Sequence, residues 1–210
     1  MIKITLVDDH ALIRRGLRET LCSQGDMEVV GEAGDYAQWR ELLRGAPSDV
    51  LVLDLSLPGR SGIEILNSLR GESNPPKVVV LSQYPEDQYG IKALKAGAMA
   101  YLNKSVEPDT MIEAVRQVAA GRKFITPEIA TALMESVVED RPSSLHDSLS
   151  EREHQTMLLI AKGERLSQMA EKLNLSPKTV SVYRARVLEK LQVTSNAEVA
   201  TYAIRHKLID

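Results

Sequence analysis

Cysteine and bulky aromatic residues are scarce in the 210-residue chain, which contains one cysteine, one tryptophan and one phenylalanine. The single cysteine, Cys22, excludes an intrachain disulfide and is typical of a reducing compartment. No apolar run approaches the ~18 residues of a transmembrane helix. The N-terminal residues lack the apolar block and cleavage site of a signal peptide. We therefore expect a cytoplasmic protein that does not enter a membrane.

Nucleotide-binding motifs are also missing, since neither G-x-G-x-x-G nor a P-loop occurs. The four histidines lack metal-ligand spacing. The net charge is only −3, but its distribution is uneven: residues from 149 onward carry +3 and the preceding part carries −6. A basic second half indicates that anionic partners bind there.

Short apolar runs alternate with segments of helical periodicity over the first 120 residues. The runs predict strands at 3–7, 28–33, 49–54, 77–81 and 100–103. The other segments predict helices at 11–23, 36–44, 62–70, 86–96 and 109–120. This alternation predicts an α/β domain over 1–121, a flavodoxin-like, doubly wound parallel sheet of five strands with helices on both faces.

The remaining residues divide into a linker, predicted at 122–148, and a small all-α domain of four helices, predicted at 149–210. The linker is rich in polar and acidic residues and contains little that could be buried. Helix starts in the last domain are marked by Ser150 with Glu153, by Ser176 before Pro177, and by a second capping-box pattern at 195–198.

Polar or charged residues end or follow four of the predicted strands: Asp8 and Asp9 the first, Asp54 the third, Ser82 the fourth and Lys104 the fifth. In this fold the first and third strands are neighbours, so their carboxyl ends meet at the topological switch point. Each acid alone is more simply explained as a solvated loop residue. Three converging carboxylates, however, would repel one another unless a hard cation such as Mg²⁺ joined them.

The same residue types suit phosphoryl transfer. A metal, an ammonium and a hydroxyl around one carboxylate would stabilise charge that develops on a phosphoryl group. Asp54 is then the candidate nucleophile, which would form an aspartyl-phosphate.

This half of the chain resembles the receiver domain of two-component response regulators, through Asp8, Asp9, Asp54, Ser82, Tyr101 and Lys104. The resemblance implies that Asp9, Asp54 and the backbone carbonyl of Ser56 hold Mg²⁺ directly, while Asp8 assists through water. It also implies that Ser82 and Lys104 contact the phosphoryl oxygens, and that Tyr101 turns inward as Ser82 shifts.

The helix predicted from Pro177 onward carries a candidate nucleic-acid surface. A helical wheel places Val180, Val187 and Leu191 on the core side, and the opposite face carries Lys178, Ser181, Val182, Ala185 and Arg186. Small side chains let such a helix enter a major groove, where cations reach phosphates. Arg184 lies nearer the core and is expected to extend to a phosphate or an acid.

Residues 149–210 resemble the LuxR-type helix-turn-helix, and the two halves together resemble the NarL/FixJ class of response regulators. The resemblance implies base contacts by Ser181, Val182 and Ala185, with DNA-binding roles also for Lys178, Thr179, Arg184, Arg186 and Lys190. It further implies a dimer surface on the final helix, formed by Val199, Ala203 and Ile204. The alternative for these residues is that they close the core of the small domain, and the two roles are compatible. Ser181 stands where the class commonly has lysine, which leaves fewer cations on this face.

The combined expectation is a transcription regulator, not an enzyme, that receives a phosphoryl group on Asp54 from a sensor histidine kinase. It would then dimerise and bind promoter DNA, with RNA polymerase as a further candidate partner. One alternative is a phosphate-independent DNA-binding regulator that uses the receiver as a protein-interaction platform. Another is a Mg²⁺-dependent phosphohydrolase, which usually needs a second Asp where this chain has Ser56.

Overall fold

The computed structural model of the chain describes residues 1–45, 47–58, 62–138, 144–206 and 208–209. The chain divides into two compact units, 1–139 and 140–210. The described strands all belong to the first unit, and the second unit is helical.

A five-stranded parallel sheet in the order β2-β1-β3-β4-β5 forms the centre of the first unit. The strands are β1 (Ile2–Val7), β2 (Met27–Ala33), β3 (Val50–Leu53), β4 (Lys77–Ser82) and β5 (Ala100–Asn103). β1 pairs with β3 so that Val7 lies opposite Leu53. The residues that follow these two strands are therefore neighbours. The predicted doubly wound fold is confirmed.

Helices cover both faces of the sheet, because alternate residues of each strand point to opposite sides. They are α1 (Ala11–Cys22), α2 (Tyr36–Gly45), α3 (Gly62–Leu69), α4 (Glu86–Ala96) and α5 (Pro108–Ala119). Leu51 and Leu53 of β3 belong to the apolar cluster that includes residues of α2, α3 and α4. Val50 and Val52 belong to the cluster that includes residues of α1 and α5.

The segment predicted as a linker contains a helix, α6 (Pro127–Val138), which was not predicted from the sequence. Ile129 is completely buried and packs in the same apolar cluster as α4 residues. Thr126 caps the helix, since its hydroxyl accepts a hydrogen bond from the backbone N–H of Ile129. Residues 139–143 of the predicted linker lie outside the described residues.

The described residues of the second unit form a short 3₁₀ helix (Leu145–Ser148) and four α-helices: α7 (Glu151–Ala161), α8 (Leu166–Lys172), α9 (Pro177–Lys190) and α10 (Asn196–Arg205). The predicted caps Ser150, Ser176 and Ser195 each accept a hydrogen bond from a backbone N–H of the first turn. Of the two predicted capping boxes, the one formed by Ser150 and Glu153 is complete. At the other, the carboxylate of Glu198 accepts hydrogen bonds from Thr194 and not from the backbone N–H of Ser195. Within the described residues, each helix is too short or too polar to cross a bilayer.

Candidate functional site

Two buried carboxylates and one ammonium form the centre of the predicted acidic site. Asp8 and Asp54, which follow β1 and β3, are only 3% and 2% exposed. The Nζ of Lys104, just beyond β5, lies 2.6 Å from Oδ2 of Asp8 and 2.8 Å from Oδ2 of Asp54. The ammonium therefore bridges two negative charges that the sheet topology forces together.

Burial raises the pKa of the Asp54 carboxyl, and the neighbouring Asp8 carboxylate raises it further, although Lys104 opposes both effects. Burial alone would lower the pKa of the Lys104 ammonium, but the two carboxylates outweigh it and hold that pKa above its ordinary value. Lys104 thus stays charged beside Asp54, as stabilisation of a phosphoryl oxygen requires.

Asp9 supplies the remaining acid of the site. Its Oδ1 is buried and has no hydrogen-bond partner within the described part of the chain. The nearest polar group is the imidazole of His10, whose Nδ1 lies 2.7 Å from this oxygen. A hard cation would also satisfy a buried carboxylate oxygen that lacks a hydrogen bond. Candidate ligand atoms of Asp8, Asp9, His10 and Asp54 all lie within 4.8 Å of one another. The donor set therefore fits a divalent ion.

Ser56 lies close to the acceptor carboxylate through a local turn. Its backbone N–H donates to Oδ1 of Asp54 at 3.1 Å, so the chain reverses directly after β3. Coordination of a metal by the Ser56 carbonyl stays a prediction.

Ser82 and Tyr101 are both completely buried. The Ser82 hydroxyl accepts a hydrogen bond from the backbone N–H of Tyr84 at 3.4 Å, and the Tyr101 hydroxyl donates to the Tyr84 carbonyl at 3.0 Å. Tyr101 is thus already turned inward, in the apolar cluster that also contains Ile129. The backbone of Tyr84 therefore contacts the side chains of both Ser82 and Tyr101.

The candidate nucleic-acid surface of α9 is exposed to solvent, and the opposite side of the helix is buried, as the helical wheel predicts. Val180 and Val187 are completely buried and Leu191 is 2% exposed. The opposite face is exposed to solvent at Lys178, Ser181, Val182, Ala185 and Arg186. The preceding turn includes Asn174 in the left-handed region (φ 52°), which lets α8 and α9 follow each other closely. This arrangement is a helix-turn-helix.

Comparison with known families matches both units. Residues 4–116 match the response regulator receiver domain, and residues 147–203 match the bacterial regulatory proteins of the luxR family. The chain belongs to the NarL/FixJ class of two-component response regulators. It is a phosphorylation-controlled, DNA-binding transcription regulator.

Relatives of this response regulator match over its whole length. Response regulator GacA of Pseudomonas aeruginosa is 39% identical over 211 residues, covering 100% of this chain and 99% of GacA. Response regulator UvrY of Escherichia coli K12 is 38% identical over 212 residues, covering 99% and 96%. The crystal structure of response regulator ChrA, from a heme-sensing two-component system, has a TM-score of 0.52 at 32% identity and covers 99% of this chain and 98% of ChrA.

Two of the cations predicted to bind DNA in this response regulator have partners inside the second unit. Nε of Arg184 donates to Oδ1 of Asn196 at 2.7 Å, so its partner is an amide of α10 rather than an acid. Nζ of Lys190 donates to the Ser148 carbonyl at 3.0 Å and to the buried Glu153 carboxylate at 2.6 Å. Lys190 therefore neutralises the acid that caps α7.

One residue near the acidic site was missed from the sequence. Arg14, on α1, donates from Nη1 to the backbone carbonyl of Asp8 at 2.5 Å, and its Nε lies 3.5 Å from the Glu32 carboxylate at the end of β2. The helical spacing in the sequence could have identified Arg14, because it shares a helix face with the core residues Leu17 and Leu21. A cation on an apolar helix face needs a specific partner.

Proposed function

We propose that Asp54 is the phosphoacceptor of this response regulator, and that Asp8, Asp9 and Asp54, with the carbonyl of Ser56, hold Mg²⁺ beside it. The observation that carries the proposal is the Lys104 ammonium between the buried carboxylates of Asp8 and Asp54. Bound Mg²⁺ would neutralise negative charge on the incoming phosphoryl group. Oδ1 of Asp9, which is buried and makes no hydrogen bond to the described residues, supports this donor set.

The Asp54 carboxylate attacks the phosphorus of a phosphohistidine on a sensor histidine kinase. A new O–P bond forms on Asp54 while the P–N bond breaks and its electron pair returns to the histidine. Lys104 compensates charge on the phosphoryl oxygens, and the Ser82 hydroxyl turns towards them. The backbone N–H of Tyr84 is thereby released, which couples the acceptor to Tyr101 through Tyr84.

The second unit binds promoter DNA through α9. Ser181, Val182 and Ala185 face the base edges, and the exposed cations Lys178 and Arg186 contact phosphates. Thr179, which is half-buried in the first turn of α9, belongs to the same DNA-binding set. Lys190 and Arg184 support the fold of the unit through the internal contacts described above.

Dimerisation through α10 follows phosphorylation. Val199 and Ala203 are completely buried in the second unit, whereas Ile204 is 59% exposed and offers an apolar contact to a second copy. RNA polymerase is a further candidate partner at the promoter. The protein acts in the cytoplasm. It is not a Mg²⁺-dependent phosphohydrolase with turnover, since Ser56 occupies the position where such an enzyme usually has a second Asp.

The acceptor is tested by transfer of labelled phosphate from a small phosphodonor to the full chain. Labelling should require Mg²⁺ and should disappear in Asp54→Ala. The matched control is Asp49→Ala, which removes an acid that precedes β3 and contacts the backbone N–H of Lys3 instead of the site. Labelling of Asp54→Ala at the wild-type level would overturn the assignment.

DNA binding is tested by selecting fragments from a random pool with the phosphorylated protein, followed by gel-shift titration. Arg186→Ala should weaken binding and reduce the salt slope by about one. Lys162→Ala removes an exposed cation from the end of α7 and should change neither quantity. Equal losses in both variants would contradict a specific phosphate contact by α9.

A further inference from the structure

Lys104, whose ammonium lies between the two buried carboxylates, is the first residue beyond the end of β5. The last residue of β5, Asn103, lies opposite Ser82, the last residue of β4. One backbone hydrogen bond continues past this pair, from the N–H of Lys104 to the Ser82 carbonyl at 2.7 Å. The next residue is Ser105 and not a proline, so no ring restricts the backbone of Lys104. Other contacts must therefore fix the direction of the lysine side chain.

The side chain of Asn103 supplies such contacts on the far side of Lys104. Its Oδ1 accepts hydrogen bonds from the backbone N–H of Ser105 at 2.9 Å and from the Ser105 hydroxyl at 2.7 Å. The backbone carbonyl of Asn103 accepts another from the N–H of Val106 at 2.9 Å. Asn103 therefore bonds to both residues that follow Lys104 and closes a turn around it, a geometry that asparagine side chains favour.

The amide nitrogen of Asn103 connects this turn to the loop between β4 and α4. Nδ2 donates to the carbonyls of Gln83 at 3.4 Å and Tyr84 at 3.3 Å. A backbone N–H can only donate and a carbonyl can only accept, so the partners on the two sides determine the orientation of the amide. Aspartate would lose both donors, and serine would have a single hydroxyl for all four contacts. The contacts therefore favour asparagine at this position.

We propose that Asn103 is a positioning residue for phosphoryl transfer, which holds the turn after β5 so that the Lys104 ammonium points at the Asp54 carboxylate. This inference rests on the proposed phosphoacceptor function of Asp54. Nζ of Lys104 lies 2.8 Å from Oδ2 of Asp54, and a displacement of about 1 Å at a reacting centre can slow a reaction about a hundredfold. Asn103 is not among the proposed metal ligands. Its loss should therefore slow phosphoryl transfer without weakening Mg²⁺ binding.

The test is the rate at which acetyl phosphate labels the full chain at saturating Mg²⁺, with Mg²⁺ affinity measured separately by calorimetry. In Asn103→Leu the labelling rate should fall about ten- to a hundredfold, while Mg²⁺ affinity should change by less than about twofold, since the oxygen ligands remain. Asn103→Ser keeps a hydroxyl that can accept from the N–H of Ser105 and should recover part of the rate. The matched control is Asn67→Leu, which makes the same change at an exposed position of α3 and should leave both quantities unchanged.

A double-mutant cycle with Lys104 separates positioning from a general structural role. Because Asn103 acts through the ammonium, adding Asn103→Leu to Lys104→Met should slow the residual labelling by less than about twofold. The role of Asn103 alone would be overturned by wild-type labelling in Asn103→Leu, by equal losses of rate and Mg²⁺ affinity, by the lack of any recovery in Asn103→Ser, or by a full further loss in the double variant. A wild-type chain that accepts no label from acetyl phosphate would overturn the proposed phosphoacceptor as well.

Discussion

Replacing Gly62 with alanine should destabilise the first unit and disturb the acceptor strand at the same time. Gly62 is the first residue of α3, and its N–H donates to the Leu55 carbonyl at 3.0 Å. A Cβ built there would lie 2.6 Å from the backbone carbonyl oxygen of Asp54 and 2.7 Å from Cα of Leu55. Both atoms belong to the backbone, so the clash cannot be relieved by a change of rotamer.

Two opposing effects determine how much Gly62→Ala lowers the free energy of unfolding. Alanine is favoured over glycine in a helix by at most about 1 kcal/mol, whereas overpacking a tight site typically costs about 1–3 kcal/mol. The contacts at Gly62 are shorter than real Cβ contacts, so the upper part of that range applies. We expect a net loss of about 2 kcal/mol in the free energy of unfolding.

Urea titration followed by tryptophan fluorescence measures this loss. Trp39 is the only tryptophan of the chain and lies on α2, 1% exposed, so its signal reports the first unit alone. With a typical urea m-value of about 2 kcal/mol/M, the midpoint should fall by about 1 M. Labelling of Asp54 by a small phosphodonor should slow as well, because the clash displaces its carbonyl.

The control is Gly16→Ala, which changes the same residue types inside α1. A Cβ at Gly16 meets nothing within 4 Å, so this variant should stabilise the unit by up to about 1 kcal/mol. Unfolding of Gly62→Ala at the same or a higher urea concentration than the wild type would contradict a backbone clash at this position.

Three further predictions follow from charged contacts. Arg14→Ala should lower Mg²⁺ affinity about tenfold, measured by calorimetry, because the hydrogen bond that holds the backbone carbonyl of Asp8 is lost. Arg15→Ala changes the exposed side of α1 and should bind Mg²⁺ as the wild type does. The raised pKa of Asp54 means that its ionisation destabilises the folded unit. The melting temperature of Asp54→Asn should therefore exceed that of the wild type increasingly as the pH rises through that pKa, and a constant difference would contradict this. Burial would raise the pKa of Glu153, but the hydrogen bonds with Lys190 and Ser150 together outweigh it and hold the pKa below its ordinary value. This stabilises the second unit above the unfolded pKa of ~4.3 and is lost as the pH falls through the lowered value. Lys190→Met should cost about 1–3 kcal/mol at pH 7, measured by amide hydrogen exchange in α7 and α9, and an equal loss at pH 3 would count against the pair.

Much of the first unit was predictable because its signals are local and repetitive. Strands and helices alternate with distinct apolar periods, and parallel strands necessarily present their carboxyl ends at one edge of the sheet. The positions of Asp8, Asp54 and Lys104 in the chain were therefore enough to predict that these three side chains converge. The exposed face of α9 followed in the same way from the wheel around Val180.

The helix α6 shows where composition was misleading. Its segment was interpreted as a linker because acidic and polar residues dominate the region as a whole. The start signal was nevertheless present, since Thr126 precedes Pro127 and an acid follows in the first turn. The side chain of Ile129 packs against Gly90, so closely that a Cβ added to this glycine would lie 2.8 Å from the isoleucine side chain. That site belongs to α4 and is not visible in the local sequence.

The sequence by itself determined which residues end the strands, which face of each helix is apolar and where the helices are capped, because these properties depend on neighbours a few residues away. Only the tertiary structure decided the partner of each charge. Lys104 reaches acids that precede it by 50 residues or more, Lys190 pairs with a cap residue on another helix, and Arg14 supports a strand end. Such pairs depend on the distance and angle between packed elements, and a periodic pattern along one element contains neither.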